Sequence, residues 1–243
     1  MEGGEDMVSV TKLAASDKDM EAINRFAKRK LIADEVYTFE VMAADTQVDR
    51  DGEYFTADTL AGLAELYIGK AMITDHDPKT GNQTARIYHA YTKQDGEVTR
   101  LMVQAYMLRA GNEPLIDRID AGIIKEVSVG CAVRQKMCSI CGKEYGKCRH
   151  QKGKTYGDAV CAVALDGAVD AYEISFVAVP AQKEAGVIKC TKSLEFSGGQ
   201  TEDEDALKAK QELQEQAALR IRLAAAANYL KERDTYGNEQ EDV

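Results

Sequence analysis

Apolar residues recur at every second position in several stretches of the chain, and each stretch predicts a strand. Tyr37, Phe39, Val41 and Ala43 alternate with polar or smaller residues, the period of a half-buried strand. Ala85, Ile87, His89 and Tyr91 repeat the pattern, as do Leu101, Val103, Ala105 and Met107, and Gln94-Asp95-Gly96 between them reads as a hairpin turn. Ala71 to Thr74 is a short buried strand that stops at Asp75-His76-Asp77-Pro78. Ile124 to Val133 and Tyr172 to Val179 are the last two strong strands.

Elsewhere the period lengthens to that of a helix. Leu60, Leu63, Ala64 and Tyr67 mark one, with Thr56 as its cap and Gly69 as its stop. Leu115, Ile116 and Ile119 mark a second, with Asn112 as a candidate cap and Gly122 as its stop. Ser16 opens a short helix carrying Met20, Ile23 and Ala27, and Arg25, Lys28, Arg29 and Lys30 suit its negative C-terminal end. Helices interrupt the strands irregularly, without a βαβ rhythm. The pattern predicts an α+β protein, a small antiparallel β-barrel with helices packed around it. Residues 1–30 form an N-terminal extension, 31–190 the main domain, and 191–243 an acidic linker and helical tail. In that tail Ala206, Ala209, Leu213, Ala217, Ile221 and Ala224 share a stripe. An alanine-weighted stripe buries little area, so it reads either as a weak docking or self-association surface or as a solvated helix.

Composition narrows the function classes. With 44% hydrophobic residues in 243, the chain can bury a sizeable core. No apolar run approaches the ~18–20 residues of a membrane span, so no membrane role is expected. The acidic start, Met1-Glu2-Gly3-Gly4-Glu5-Asp6, does not read as a secretory signal. A net charge of −10, with 7 basic and 12 acidic residues from Lys192 onward, argues against a general nucleic-acid binder. Six cysteines without an export signal suit a reducing compartment, as thiols or metal ligands.

Three residues stand out as candidate chemistry. Ser128 lies in Lys125-Glu126-Val127-Ser128-Val129-Gly130-Cys131, where alternation places it with Gly130 and Ala132 on a face left open by small neighbours. His76 closes a buried strand and should emerge at a strand-end loop, where a rigid element fixes a side chain that the loop exposes. His89 competes with it, but shares a face with Ile87 and Tyr91 and reads as a half-buried strand histidine. Glu173 alternates against Tyr172, Ile174 and Phe176, a carboxylate in an otherwise apolar strand that calls for a partner such as an imidazole.

In this order, behind an Asp49-Arg50-Asp51-Gly52 turn with Phe55 after it and ahead of Val177-Ala178-Val179-Pro180-Ala181, these residues resemble the prohead (capsid maturation) proteases of tailed bacteriophages. That family shares the herpesvirus assemblin fold, and the resemblance covers residues 31 to about 190. It implies that Ser128 is the nucleophile, His76 the general base and Glu173 the acidic third member. It further implies a serine endopeptidase in the host cytoplasm, inside the assembling procapsid. There it would cut the scaffolding segments of the major capsid protein, and often itself. A non-enzymatic capsid-assembly or scaffold protein that retains the fold is the alternative, and a zinc-stabilised protein-binding module a lesser one.

One stretch departs from that pattern. Cys138, Cys141, Cys148 and His150 follow a C-x2-C-x6-C-x-H spacing within an insertion at about 134–160. Four sulfur and nitrogen donors suit tetrahedral Zn²⁺ and leave no open position, so the expected ion is structural and plays no part in catalysis. Cys131 and Cys161 read as small core residues.

Overall fold

The computed structural model describes residues 15–190, so the acidic linker and helical tail expected from 191 onward lie outside the described residues. The elements are α1 (Asp17–Asn24), β1 (Val36–Asp45), β2 (Glu53–Phe55), α2 (Ala57–Tyr67), β3 (Ala71–Thr74), β4 (Ala85–Asp95), β5 (Val98–Leu108), α3 (Glu113–Asp120), β6 (Val127–Cys138), β7 (Thr155–Tyr156), β8 (Ala159–Val160), β9 (Val163–Phe176) and β10 (Gly186–Cys190). The protein is α+β. The first two helices start where the caps predict: Ser16 and Asp19 form a reciprocal capping box, and the Thr56 hydroxyl accepts from Thr59 N. Asn112 stands at the start of α3, but its side chain does not take up the capping role. Gly69, at φ 85°, takes the left-handed conformation that ends α2.

The expected antiparallel barrel is not what forms. One mixed eight-stranded sheet runs β10-β1-β5-β4-β3-β9-β2, with β6 also on β9. β2 and β3 both pair in parallel with β9, at Val163–Leu165 and Glu173–Phe176 respectively, so they lie end to end along one of its edges while β6 takes the other. α2 bridges the two: it carries the chain forward along β9 from the end of β2 to the start of β3, so both strands keep one direction, which a hairpin would reverse. α2 packs against the middle of β9, where a Cβ on Gly62 would stand 2.9 Å from Ala168 Cβ and Thr59 Oγ1 accepts from Gly167 N at 2.8 Å. Nor is the sheet closed into a barrel. β10 reaches the start of β6 only through an isolated Glu126–Gly186 bridge, and β6 then runs on along β9.

Two departures from strict alternation trace to bulges. The β4–β5 register shifts between Ile87 and His89, so Ile87 and Tyr88 are both buried. His89 is therefore exposed rather than half-buried, stacked on Tyr91 at 5.5 Å. The β6–β9 register shifts beside Glu173, so Ala171 takes the core place expected of Tyr172, which is 57% exposed. β1 is buried along its whole length rather than on one face. Its Glu40 is shielded beneath Tyr91 and Gln104, which donate to Glu40 Oε1 at 2.9 and 3.1 Å. Among the described residues no helix is long and apolar enough to cross a membrane.

Candidate active site and metal centre

β3 ends in a turn that sets the first site residue. Asp77 N donates to Thr74 O at 3.1 Å, and the two residues between, Asp75 and His76, are left-handed at φ 54° and 53°. Among the described residues these are the only non-glycines with positive φ. Such a conformation costs on the order of 1–3 kcal/mol per residue and persists only where the surroundings over-determine it. Here β9 supplies the restraint: Asp75 N donates to Phe176 O at 2.9 Å and His76 N to Ser175 Oγ at 3.0 Å. The turn thus bends His76 back over β9.

There its Nδ1 lies 2.8 Å from Glu173 Oε1. The residues are 97 apart in the chain. Glu173 is the more sheltered partner, its side chain 15% exposed against 43% for His76. Its other oxygen, Oε2, accepts from Ser175 Oγ at 2.5 Å. The carboxylate expected to need a partner therefore has two. Asp170, three residues before Glu173 in β9, is engaged elsewhere, with Lys70 at 3.3 Å.

Ser128 lies one strand further along the same face. In the β6–β9 register it stands opposite Ser175, and Gly130 stands opposite Glu173. Directly paired residues in a sheet share a face, so Ser128, Gly130, Glu173 and Ser175 all project to the side where His76 sits. No hydrogen bond joins Ser128 Oγ to His76 among the described residues. Ser128 also lines a cavity of about 220 Å³ with Phe55, Val129, Val133, Leu165 and Gln182. Cys131, three residues along, is no rival nucleophile. Burial pushes its thiol up to about 11, which keeps it protonated at neutral pH.

No family model, curated protein or solved structure matches the chain. His89 lies outside this cluster, beside Tyr91. If the cluster cleaves peptides, His89→Ala should leave turnover within about twofold of the parent, and loss of turnover in that variant with full activity in His76→Ala would make His89 the histidine of the site.

β6 and β9 stay paired to the far end of the sheet, with Lys136 opposite Leu165 and Cys138 opposite Val163, while β2 takes the other edge of β9 at the same residues. The insertion proper is thus the segment 139–162, carried at the end of this three-stranded stretch. Its base is held to β2 by Glu53, which pairs with Lys136 at 3.0 Å and Lys152 at 3.2 Å. The ligand atoms of Cys138, Cys141, Cys148 and His150 all lie within 4.8 Å of one another, placed to hold a metal ion. Tetrahedral donors at zinc bond lengths stand roughly 3.5–3.8 Å apart, and Cys138 Sγ is 3.6 Å from His150 Nδ1. The local chain explains the approach. Gly142, at φ 66°, donates to Cys138 O at 2.8 Å and folds the Cys-x-x-Cys segment back on itself. His150 is braced edge-on by Tyr156 at 4.6 Å.

Burial pushes the Cys138 thiol up, but the Cys141 and Ile140 amides and the Cys161 and Cys141 side chains outweigh it and bring the thiol down to about 6. A cysteine poised to be a thiolate is what a metal ligand must be. Cys161 is buried, as its pattern predicted. Its place 3.8 Å from Cys138 Sγ, however, is something the spacing of the other four cannot reveal.

Proposed function

We propose that the chain is a serine endopeptidase of the prohead-protease type, built on an assemblin-like arrangement. In this reading it acts within the procapsid assembling in the host cytoplasm, on the scaffolding segments of the major capsid protein and on itself. The observation that carries the reading is the 2.8 Å contact between His76 Nδ1 and Glu173 Oε1, with Ser128 on the neighbouring strand of the same face. A carboxylate on Nδ1 holds the proton there and leaves Nε2 as the basic nitrogen, the tautomer a serine nucleophile requires. Ser128 Oγ attacks the peptide carbonyl as its proton passes to Nε2. Glu173 stabilises the imidazolium, which then protonates the departing amine. The two motifs flanking the site support the same reading, since Arg50 Nη1 donates to Pro180 O at 2.6 Å.

A fluorophosphonate probe tests the reading directly. It is expected to label the parent protein and not Ser128→Ala, and co-expression with the cognate capsid protein should give fragments identifiable by mass spectrometry. An unlabelled parent protein that also leaves the capsid protein intact would favour the non-enzymatic assembly role.

In the same reading the Cys₃His cluster holds a structural Zn²⁺. Three thiolates and an imidazole are the donors this ion favours, and four protein ligands leave no position for a catalytic water. The ion would cross-link a segment that carries few apolar residues, so that its binding free energy becomes folding free energy. Elemental analysis of protein prepared without chelator should show about one zinc per chain. Cys141→Ser should lower that content and expose the 139–162 segment to proteolysis while peptidase activity persists. A metal-free protein in which Cys141→Ser is silent would make these residues ordinary thiols.

A further inference from the structure

We propose that Ser175 and Gly130 are positioning residues for the His76–Glu173 pair, Ser175 by tying both partners to one hydroxyl and Gly130 by leaving the space in which the carboxylate lies. The inference rests on the peptidase reading for its consequence, and on geometry alone for its premise.

Ser175 is fully buried. Its hydroxyl has one proton, donated to Glu173 Oε2 at 2.5 Å, and it accepts the His76 backbone N–H at 3.0 Å. Both of its contacts are therefore members of the pair. The first stops the Glu173 carboxylate from rotating, because Oε2 is held while Oε1 faces His76 Nδ1. The second holds the left-handed backbone of His76 itself, the residue whose conformation most needs an external restraint. A serine that merely filled its strand position would have no reason to bridge a residue of its own strand and one in the turn after β3.

Gly130 acts by what it lacks. Its backbone is not left-handed, so no turn demands glycine there. A Cβ at this position would stand 2.3 Å from Glu173 Oε1 and 3.2 Å from its Cδ, well inside contact distance. Glycine weakens a strand interior, and it belongs there where another group approaches closely. Here that group is the carboxylate. An alanine would push Oε1 off the line to His76, since the 15%-exposed side chain has little room to retreat.

The test uses Ser175→Ala and Gly130→Ala in the full chain, each checked for native folding by circular dichroism. In both, kcat on a capsid-derived peptide is expected to fall about 10²-fold with little change in KM, the scale of a displaced catalytic group. The ¹⁵N shifts of the His76 ring, assigned by their absence in His76→Ala, should show the Nδ1–H tautomer in the parent protein and its loss in both variants. Combining Gly130→Ala with Glu173→Asp, whose carboxylate is one methylene shorter, should shrink the cost of the alanine by about tenfold relative to its cost beside Glu173. That coupling would not arise from a general loosening of the strand. Parent-like kcat and an unchanged tautomer in Ser175→Ala and Gly130→Ala would overturn the inference. If the parent protein cleaves nothing, the peptidase reading fails, and the tautomer measurement still decides whether these two residues hold the pair.

Discussion

Ser128→Ala and His76→Ala are each expected to lower peptide cleavage by about 10⁶-fold, the scale on which loss of a triad serine or its base abolishes turnover. A serine hydroxyl is a poor nucleophile until a base takes its proton, so either half of the couple is useless alone. The fold should survive both changes. Ser128 is half-buried, and its hydroxyl has no hydrogen-bond partner among the described residues, so alanine breaks no hydrogen bond. His76 is a largely exposed turn residue, and its truncation leaves Glu173 Oε2 still held by Ser175. Thermal midpoints within a few degrees of the parent, together with loss of fragments in a mass-spectrometric assay, would separate lost chemistry from lost structure. Turnover by Ser128→Ala would sink the serine-peptidase reading outright.

Glu173→Gln should cost about 10⁴-fold in kcat, by analogy with the conversion of a triad carboxylate to its amide. The substitution preserves shape and alters which atom carries hydrogen. Ser175 donates its single proton to Glu173 Oε2, so the amide oxygen will take that place and turn its NH₂ toward His76 Nδ1. Facing a donor, Nδ1 must become the acceptor and the ring proton moves to Nε2. The nitrogen that should receive the Ser128 proton is then already occupied. Single-turnover rates on a capsid-derived peptide measure the loss, and the ¹⁵N shifts of the ring should report the reversed tautomer. A change of less than about threefold would move the third role elsewhere, and the pairing of Asp170 with Lys70 makes Asp170 the weaker substitute.

The residues of this site were named from the order of motifs along the chain, whereas their meeting was not visible there. Alternation put Glu173 in an apolar strand and left its partner open. That the partner is His76 depends on β3 lying parallel to β9, with Thr74 opposite Phe176. The place of β3 on β9 depends in turn on α2 bridging the gap from β2 along the same edge, although the helix itself is plain from Leu60, Leu63, Ala64 and Tyr67. Ser175 drew no notice as a site residue, because a serine two places beyond a glutamate acquires significance only when both sit on one face beneath a histidine. Gly130 was read as part of an open face, and the carboxylate that fills the opening comes from the strand beside it.

What the sequence determined by itself are the features set by a few consecutive residues: the caps at Ser16 and Thr56, the stop at Gly69, the Asp95-Gly96 hairpin and the Cys138 to His150 ligand spacing. Each depends on local hydrogen bonds or on closing a loop of at most about a dozen residues, where chain entropy leaves few alternatives. Only the tertiary structure decided the mixed order of the sheet, its failure to close, the bulges that turn out His89 and Tyr172, and the triangle of His76, Glu173 and Ser175. Register belongs to a pair of strands rather than to either one, and a single extra residue reverses which side chains face the core. β1, β3, β4, β5, β6 and the end of β9 are therefore legible from their own residues, whereas β2, β10 and the first half of β9, and the face that every strand presents, were settled only when the neighbouring strands were in place.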